Sequence, residues 1–357
     1  MSLPEPAPAP NGGTQFLGEI REQPAALRRL LEHEAEFARV AAAARRGRSL
    51  VRFVGHGSSD NAATYGVYAF GLVAGWTALR DSITLTVHYG ATVDVSGSIV
   101  LGLSQSGQTP DVVAYLERAR EGGAFTVAIT NDPDSEMARA AEAVLPLCAG
   151  DERAVAATKT YVNQLAALAL LAGHIGGQGE RVSDGIRDAA DRLEEALPDL
   201  ETEAQALAVP FAYVGRMFVI GRGPEFATAR EIALKLLETC RTAAAPLTAT
   251  DLAHGPVAVL DPLFPVWAIA SRDVSLSAVQ DAATRVNQFG STVVASGTAA
   301  SEIAGADYYL PVPEPKLSLL SPLLSVVPGQ LFAAALARAK GFDPDAPRGL
   351  TKITFAR

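Results

Sequence analysis

The chain has 357 residues, 48% of them hydrophobic and 19% charged, which excludes a largely disordered or collagen-like polymer and leaves material for two or three domains. Its 30 basic against 39 acidic residues give a net charge of −9, without the electrostatic footprint of a general nucleic-acid binder. Two distant cysteines, Cys148 and Cys240, and five histidines in no HxxH or HExxH spacing argue against a disulfide framework and a zinc site.

Residues 1–13, rich in Pro, Ala and Gly, have little to bury and read as a disordered leader; they lack the basic and apolar blocks of a signal peptide. A helical pattern covers 14–46, where Leu17, Ile20, Leu27, Leu30 and Leu31 recur among charges. Short apolar runs then alternate with helical stretches. Strands are predicted at 51–54, 83–87, 99–103, 125–129 and 143–147, and helices at 110–120 and 135–142, the signature of βαβ units around a parallel sheet. The apolar stretch 317–337 is interrupted by Pro322, Pro328, Gly329 and Gln330, so no membrane span is expected, and the expected location is the cytoplasm.

The second half echoes the first. Phe53-Val-Gly-His-Gly57 aligns with Val219-Ile-Gly-Arg-Gly223 at a spacing of 166, and Leu103-Ser104 with Ala270-Ser271 at 167. Two copies of one α/β fold are therefore expected: a first domain over 47–182, a linker helix over 183–207, and a second domain over 208–340. A tail over 341–357 alternates apolar and polar residues, as expected of a segment that docks.

Four places could carry chemistry. Ser104-Gln105-Ser106-Gly107-Gln108-Thr109 follows a strand and precedes a helix, with Thr109 as N-cap and Pro110 at the first helical position. Such a junction offers free N–H groups and a helix dipole to a phosphate, or is an ordinary Ser-rich turn. Gly55-His-Gly-Ser58-Ser59 has the same position. Asp60 occupies the third glycine of a dinucleotide fingerprint, so the loop reads as part of a small polar site or as a tight turn capped by Ser59. Glu231, Lys235 and Glu238 share one helix face at i, i+4, i+7, either as a solvated stripe or as site residues. Asp251-Leu-Ala-His254-Gly-Pro places a histidine at an abrupt chain reversal, and Lys352 lies in the tail.

Six ordered motifs give these features a common reading: GHGSSDNA, SQSGQTPD, GDERAVAATKTYVNQL, GRGPEFATAREIALKLLE, DLAHGP and PRGLTK. From about Glu19 to Lys352 the chain resembles the isomerase part of glucosamine-6-phosphate synthase, built of two sugar isomerase (SIS) domains. The resemblance implies a fold of two tandem doubly wound α/β domains and a homodimer that binds a sugar phosphate, with no cofactor, metal, nucleic acid or membrane. It implies that Ser104, Gln105, Ser106 and Thr109 surround the phosphate, that Ser58 and Ser59 contact the sugar, and that Val155 and Ala157 line the site. Ala157, Gln108 and Leu237 stand where the synthases usually carry Ser, Glu and Lys. Glu238 is implied as the base between C1 and C2, His254 of a partner subunit as the ring opener, and Lys352 as the Schiff-base lysine. Lys235 and Glu231 are implied as supporting charges. Fewer than twenty residues and no cysteine precede this region, so the expected reaction needs no glutamine: an amino-sugar 6-phosphate going to a ketose 6-phosphate and ammonia. A fructosamine-phosphate deglycase, an aldose–ketose phosphate isomerase and a non-catalytic phosphosugar sensor are the alternatives.

Overall fold

The computed structural model describes residues 13–352, so the expected leader, apart from Gly13, and the last five residues of the tail lie outside the described residues. The N-terminal helical segment is three helices: α1 (Thr14–Arg21), α2 (Gln23–Leu31), with Pro24 in its first turn, and α3 (Glu34–Ala44). They bury Phe16, Ile20, Leu27, Leu30, Phe37 and Val40. That apolar face, not helix propensity, fixes such short helices.

The first sheet is built from β1 (Leu50–Val54), α4 (Ser58–Ala69), β2 (Thr77–Arg80), β3 (Ser98–Ser104), α5 (Pro110–Glu121), β4 (Phe125–Thr130), α6 (Glu136–Ala140) and β5 (Ala143–Pro146). Its strands are all parallel, in the order β2-β1-β3-β4-β5. Two long helices follow, α7 (Lys159–Ile175) and α8 (Gly179–Ala208). The second sheet comes from β6 (Arg216–Gly221), α9 (Glu225–Cys240), β7 (Ala243–Thr248), β8 (Val266–Ile269), α10 (Leu276–Asn287), β9 (Val293–Gly297) and β10 (Tyr308–Pro311), ordered β10-β9-β8-β6-β7. Read from β7, that is the order of the first sheet. The chain is thus two tandem doubly wound α/β domains, closed by α11 (Pro322–Ser325) and α12 (Val327–Ala339).

The predicted strand at 83–87 is absent. The edge strand is Thr77–Arg80, paired with β1 from Leu50↔Thr77, and Thr84–His88 forms a single π-helical turn. The β-branched run Ile83-Thr84-Leu85-Thr86-Val87 has strand propensity, but propensity yields to context. Here Gly75 (φ +67°) turns the chain early enough for residue 77 to meet β1, and Asp81, just past β2, accepts from Arg52 Nη1 at 3.0 Å.

Helix α8 begins four residues before the expected linker helix. It lies against α2, α7 and α12 with Val182, Ile186, Leu193, Leu200 and Leu207 buried, so it is a layer of the core and not a free connector. The stretch Ser318–Ala339 is the helical segment among the described residues long and apolar enough to cross a membrane, and it is largely buried inside the fold. Helix α4 packs directly on α9, and the Tyr161 hydroxyl donates to Ala227 O at 3.2 Å. That contact brings α9 of the second domain to the edge of the first.

Candidate functional site

Strand order in the first sheet reverses between β1 and β3, and at their carboxyl ends lies a cavity of about 400 Å³, the usual place for a ligand in an open α/β sheet. Ser58, Ser59, Ser104, Gln105, Ser106, Thr109, Val155, Ala157, Glu238 and Lys352, ten of the thirteen predicted site residues, line it.

The 104–109 loop is held by its neighbours. Gly107 has φ +63°, and a Cβ there would lie 2.1 Å from Ser135 Oγ, so only glycine fits. Its N–H donates to Ser104 Oγ at 3.1 Å, and its carbonyl accepts from Met137 N at 2.9 Å. Thr109 occupies the N-cap position of α5, but its hydroxyl pairs with Ser104 Oγ at 3.0 Å and does not cap the helix. Ser59 does not cap α4 either. Gly57 holds that position, and Ser59 Oγ is buried, accepting from Gln164 Nε2 at 2.9 Å.

The Glu231-Lys235-Glu238 face is not a solvated stripe: only Glu238, at the cavity wall, keeps partial exposure. Glu231 and Lys235 are fully buried at the α4–α9 contact, beneath the cavity. Glu231 accepts from Ser58 Oγ and Asn61 Nδ2, each at 2.8 Å. Lys235 Nζ lies 2.6 Å from Glu238 Oε2 and 3.4 Å from Glu231 Oε1. Burial alone would lower the Lys235 pKa, but the two carboxylates outweigh it and hold the ammonium well above its ordinary range. Burial raises Glu231, against the opposing pull of Lys235.

Lys352 reaches the cavity from the tail. Its Nζ donates to Ala154 O at 2.7 Å and to Glu152 Oε2 at 3.0 Å. Glu152 is buried; desolvation pushes its pKa up, but Lys352 and bonds from Thr158 and Thr160 overcome this and keep it below the usual glutamate range. The tail is anchored far from its own sequence. Asp345 accepts from the Gly13, Gln15 and Phe16 N–H groups at 3.0, 3.2 and 2.7 Å, a remote cap for α1.

His254 is not brought in. It ends the 3₁₀ turn Asp251–His254, is exposed, and lines a separate cavity of about 200 Å³ with Asp281 and Arg285. Four site groups escaped the sequence reading: Glu152, Asn61, and His56 and Asp111 at the cavity wall. All four lie within the motifs quoted above, but what singles them out is contact across many residues.

The matching position in the second sheet, between the ends of β6 and β8, is filled. Glu225, first residue of α9, is buried there. Its Oε1 accepts from Ser271 Oγ at 2.5 Å and Ser321 Oγ at 2.7 Å, and its Oε2 from Thr228 Oγ1 at 2.6 Å. Ser271 is the repeat counterpart of Ser104. Burial raises the Glu225 pKa despite these three hydroxyls.

Comparison with known proteins agrees with this architecture. The SIS domain family model matches residues 48–173 and again 211–339. The glutamine–fructose-6-phosphate aminotransferase [isomerizing] of Symbiobacterium thermophilum is 33% identical over 98% of this chain, and the chain spans 60% of that relative's length. A structure from Silicibacter pomeroyi, provisionally named a phosphosugar isomerase, superposes with TM-score 0.84 at 33% identity, over 93% of this chain and all of the other. A glucosamine-6-phosphate deaminase from Thermotoga maritima shares the fold, with TM-score 0.77 at 22% identity over 96% of this chain and all of the other. Matched twice along its length and a third identical to such relatives, the chain belongs to the SIS domain family, as a tandem pair of SIS domains.

Proposed function

We propose that the chain is a phosphosugar isomerase that converts an amino-sugar 6-phosphate, glucosamine 6-phosphate first among candidates, to a ketose 6-phosphate and ammonia. The observation that carries this reading is one cavity joining a hydroxyl-rich strand-to-helix loop, a carboxylate on a buried ammonium, and a lysine amine. The loop around Ser104, Gln105, Ser106 and Thr109 holds the phosphate, and Ser58 and Ser59 hold the sugar with Val155 and Ala157 as walls. Glu238, oriented by Lys235 and through it by Glu231, removes the C2 proton of the open-chain aldehyde and returns a proton to C1. The product of that shift is a C2 imine. Lys352 displaces ammonia from it by transimination, and water then releases the ketose and the free lysine. The sum is one water consumed, one ammonia and one ketose phosphate formed.

His254 opens the ring from a second copy of the chain, which makes the working unit a homodimer. Mixing His254→Ala with Glu238→Ala protein then restores activity in exchanged heterodimers; none after verified exchange places both residues in one chain. The defining assay measures ammonia and ketose phosphate from glucosamine, galactosamine and fructosamine 6-phosphates without glutamine. Stoichiometric ammonia from an amino-sugar phosphate is expected. Aldose–ketose interconversion without ammonia from any of the three would replace deamination by plain isomerisation.

A further inference from the structure

One pair of side chains at the cavity has no part in the reaction above. His56, in the loop after β1, lines the cavity and is largely exposed. Its Nε2 lies 3.7 Å from Asp111 Oδ2, and His88 Nε2 lies 3.3 Å from the same oxygen. Asp111 is the second residue of α5, so the two imidazoles gather at the helix N-terminus that ends the 104–109 loop. His88 arrives there on the π-helical turn that replaces the predicted strand. Arg118 of α5 donates to Thr86 O and Tyr115 of α5 to Asp81, which fasten that segment to the helix.

The cations near this point are otherwise committed. Lys352 is tied to Glu152, and Lys235 is sealed between two carboxylates below the cavity. The 104–109 loop itself has no Lys or Arg. A phosphate at the start of α5 meets Asp111 as a like charge, and that repulsion must be offset for a dianion to bind. An imidazole beside the carboxylate supplies an N–H donor to an anion at that place, where the loop itself offers no cationic side chain.

We propose that His56 is a phosphate-contacting residue of the sugar-phosphate site, and that His88, through the Asp111 oxygen they share, is its positioning residue. This rests on the sugar-phosphate reading of the cavity. The test is calorimetry on the full chain with fructose 6-phosphate and with fructose. His56→Gln is expected to weaken fructose 6-phosphate about tenfold, the loss of one hydrogen bond to a charged group, and to leave any fructose binding unchanged. His56→Arg, which keeps an N–H donor at that place, restores binding. His88→Gln has a smaller effect, and the double variant binds no worse than His56→Gln alone, because one residue acts through the other. Failure of the wild-type chain to bind any hexose 6-phosphate would overturn the underlying reading. Wild-type binding with His56→Gln within about twofold of it would overturn this inference alone. Fully additive losses would remove His88 as the positioning residue, and equal losses for fructose would move the His56 contact from phosphate to sugar.

Discussion

The two SIS domains have the same strand order and differ at their switch points. In the first, the loops after β1 and β3 surround an open cavity. In the second, the loops after β6 and β8 close around Glu225, whose carboxylate takes three hydroxyl donors. Gly55 and Gly221 show how alike the frames remain: a Cβ at Gly55 would crowd Ser59 Cβ at 3.0 Å and one at Gly221 would collide with Glu225 O at 2.5 Å, each in the first turn of the following helix. Each helix opens differently. Ser58 starts α4 with a side chain directed to Glu231 at the cavity, while Glu225 starts α9 and fills its own domain's cradle. One fold thus leaves an open cavity in one copy and a cradle occupied by its own Glu225 in the other. The second copy still meets the first, since α9 carries Glu238 to its cavity and Glu231 and Lys235 beneath it.

Breaking the contribution of α9 to the first domain has the largest expected effect. Glu238→Gln should lower turnover of an amino-sugar phosphate by about 10²–10⁴-fold, with hexose-phosphate affinity retained, as read by steady-state kinetics beside calorimetry. Near-normal turnover would remove Glu238 as the base. Lys235→Met leaves the buried Glu231 and its neighbour Glu238 without their cation. Denaturant unfolding should show a loss of about 3–5 kcal/mol, the usual result of removing one partner of a buried charge pair. A loss under about 1 kcal/mol would mean that water reaches the pair.

Emptying the second cradle should do less. Glu225→Ala strands Ser271, Ser321 and Thr228 without an acceptor, at a cost of about 1–3 kcal/mol, with fructose 6-phosphate binding to the first domain within about twofold of wild type. A large loss of binding would show that the two sites are coupled. The smallest effect is in pH. Because burial raises the folded pKa of Glu225, the folded state takes up a proton in the interval between the ordinary glutamate value and the raised one. Wild type should therefore gain stability relative to Glu225→Gln as pH falls through that interval. A constant difference across it would show that Glu225 is not raised.

The frame of this site was legible in the chain. The strand-to-helix loops at 55–59 and 104–109, the repeat spacing and the placement of Glu238 and Lys352 follow from local pattern and family resemblance. What was not legible depends on distance along the chain. Glu152 meets Lys352 across 200 residues, and Asp345 caps α1 from 329 residues away at Phe16. The face at 231, 235 and 238 has the spacing of a solvated stripe, and only the packing of α4 on α9 buries it. The run at 83–87 misled for the opposite reason: its local preference is strong, but β1 had already paired with residues 77–80.

The difference between the domains is tested most directly by trapping. Borohydride added to the wild-type chain with fructose 6-phosphate should reduce an imine to a stable secondary amine, and peptide mass spectrometry should find it on Lys352 with one hexose phosphate per chain. Lys352→Ala should give no adduct while keeping its affinity for the sugar phosphate. An adduct on another lysine, or two adducts per chain, would contradict an active first domain beside a self-filled second.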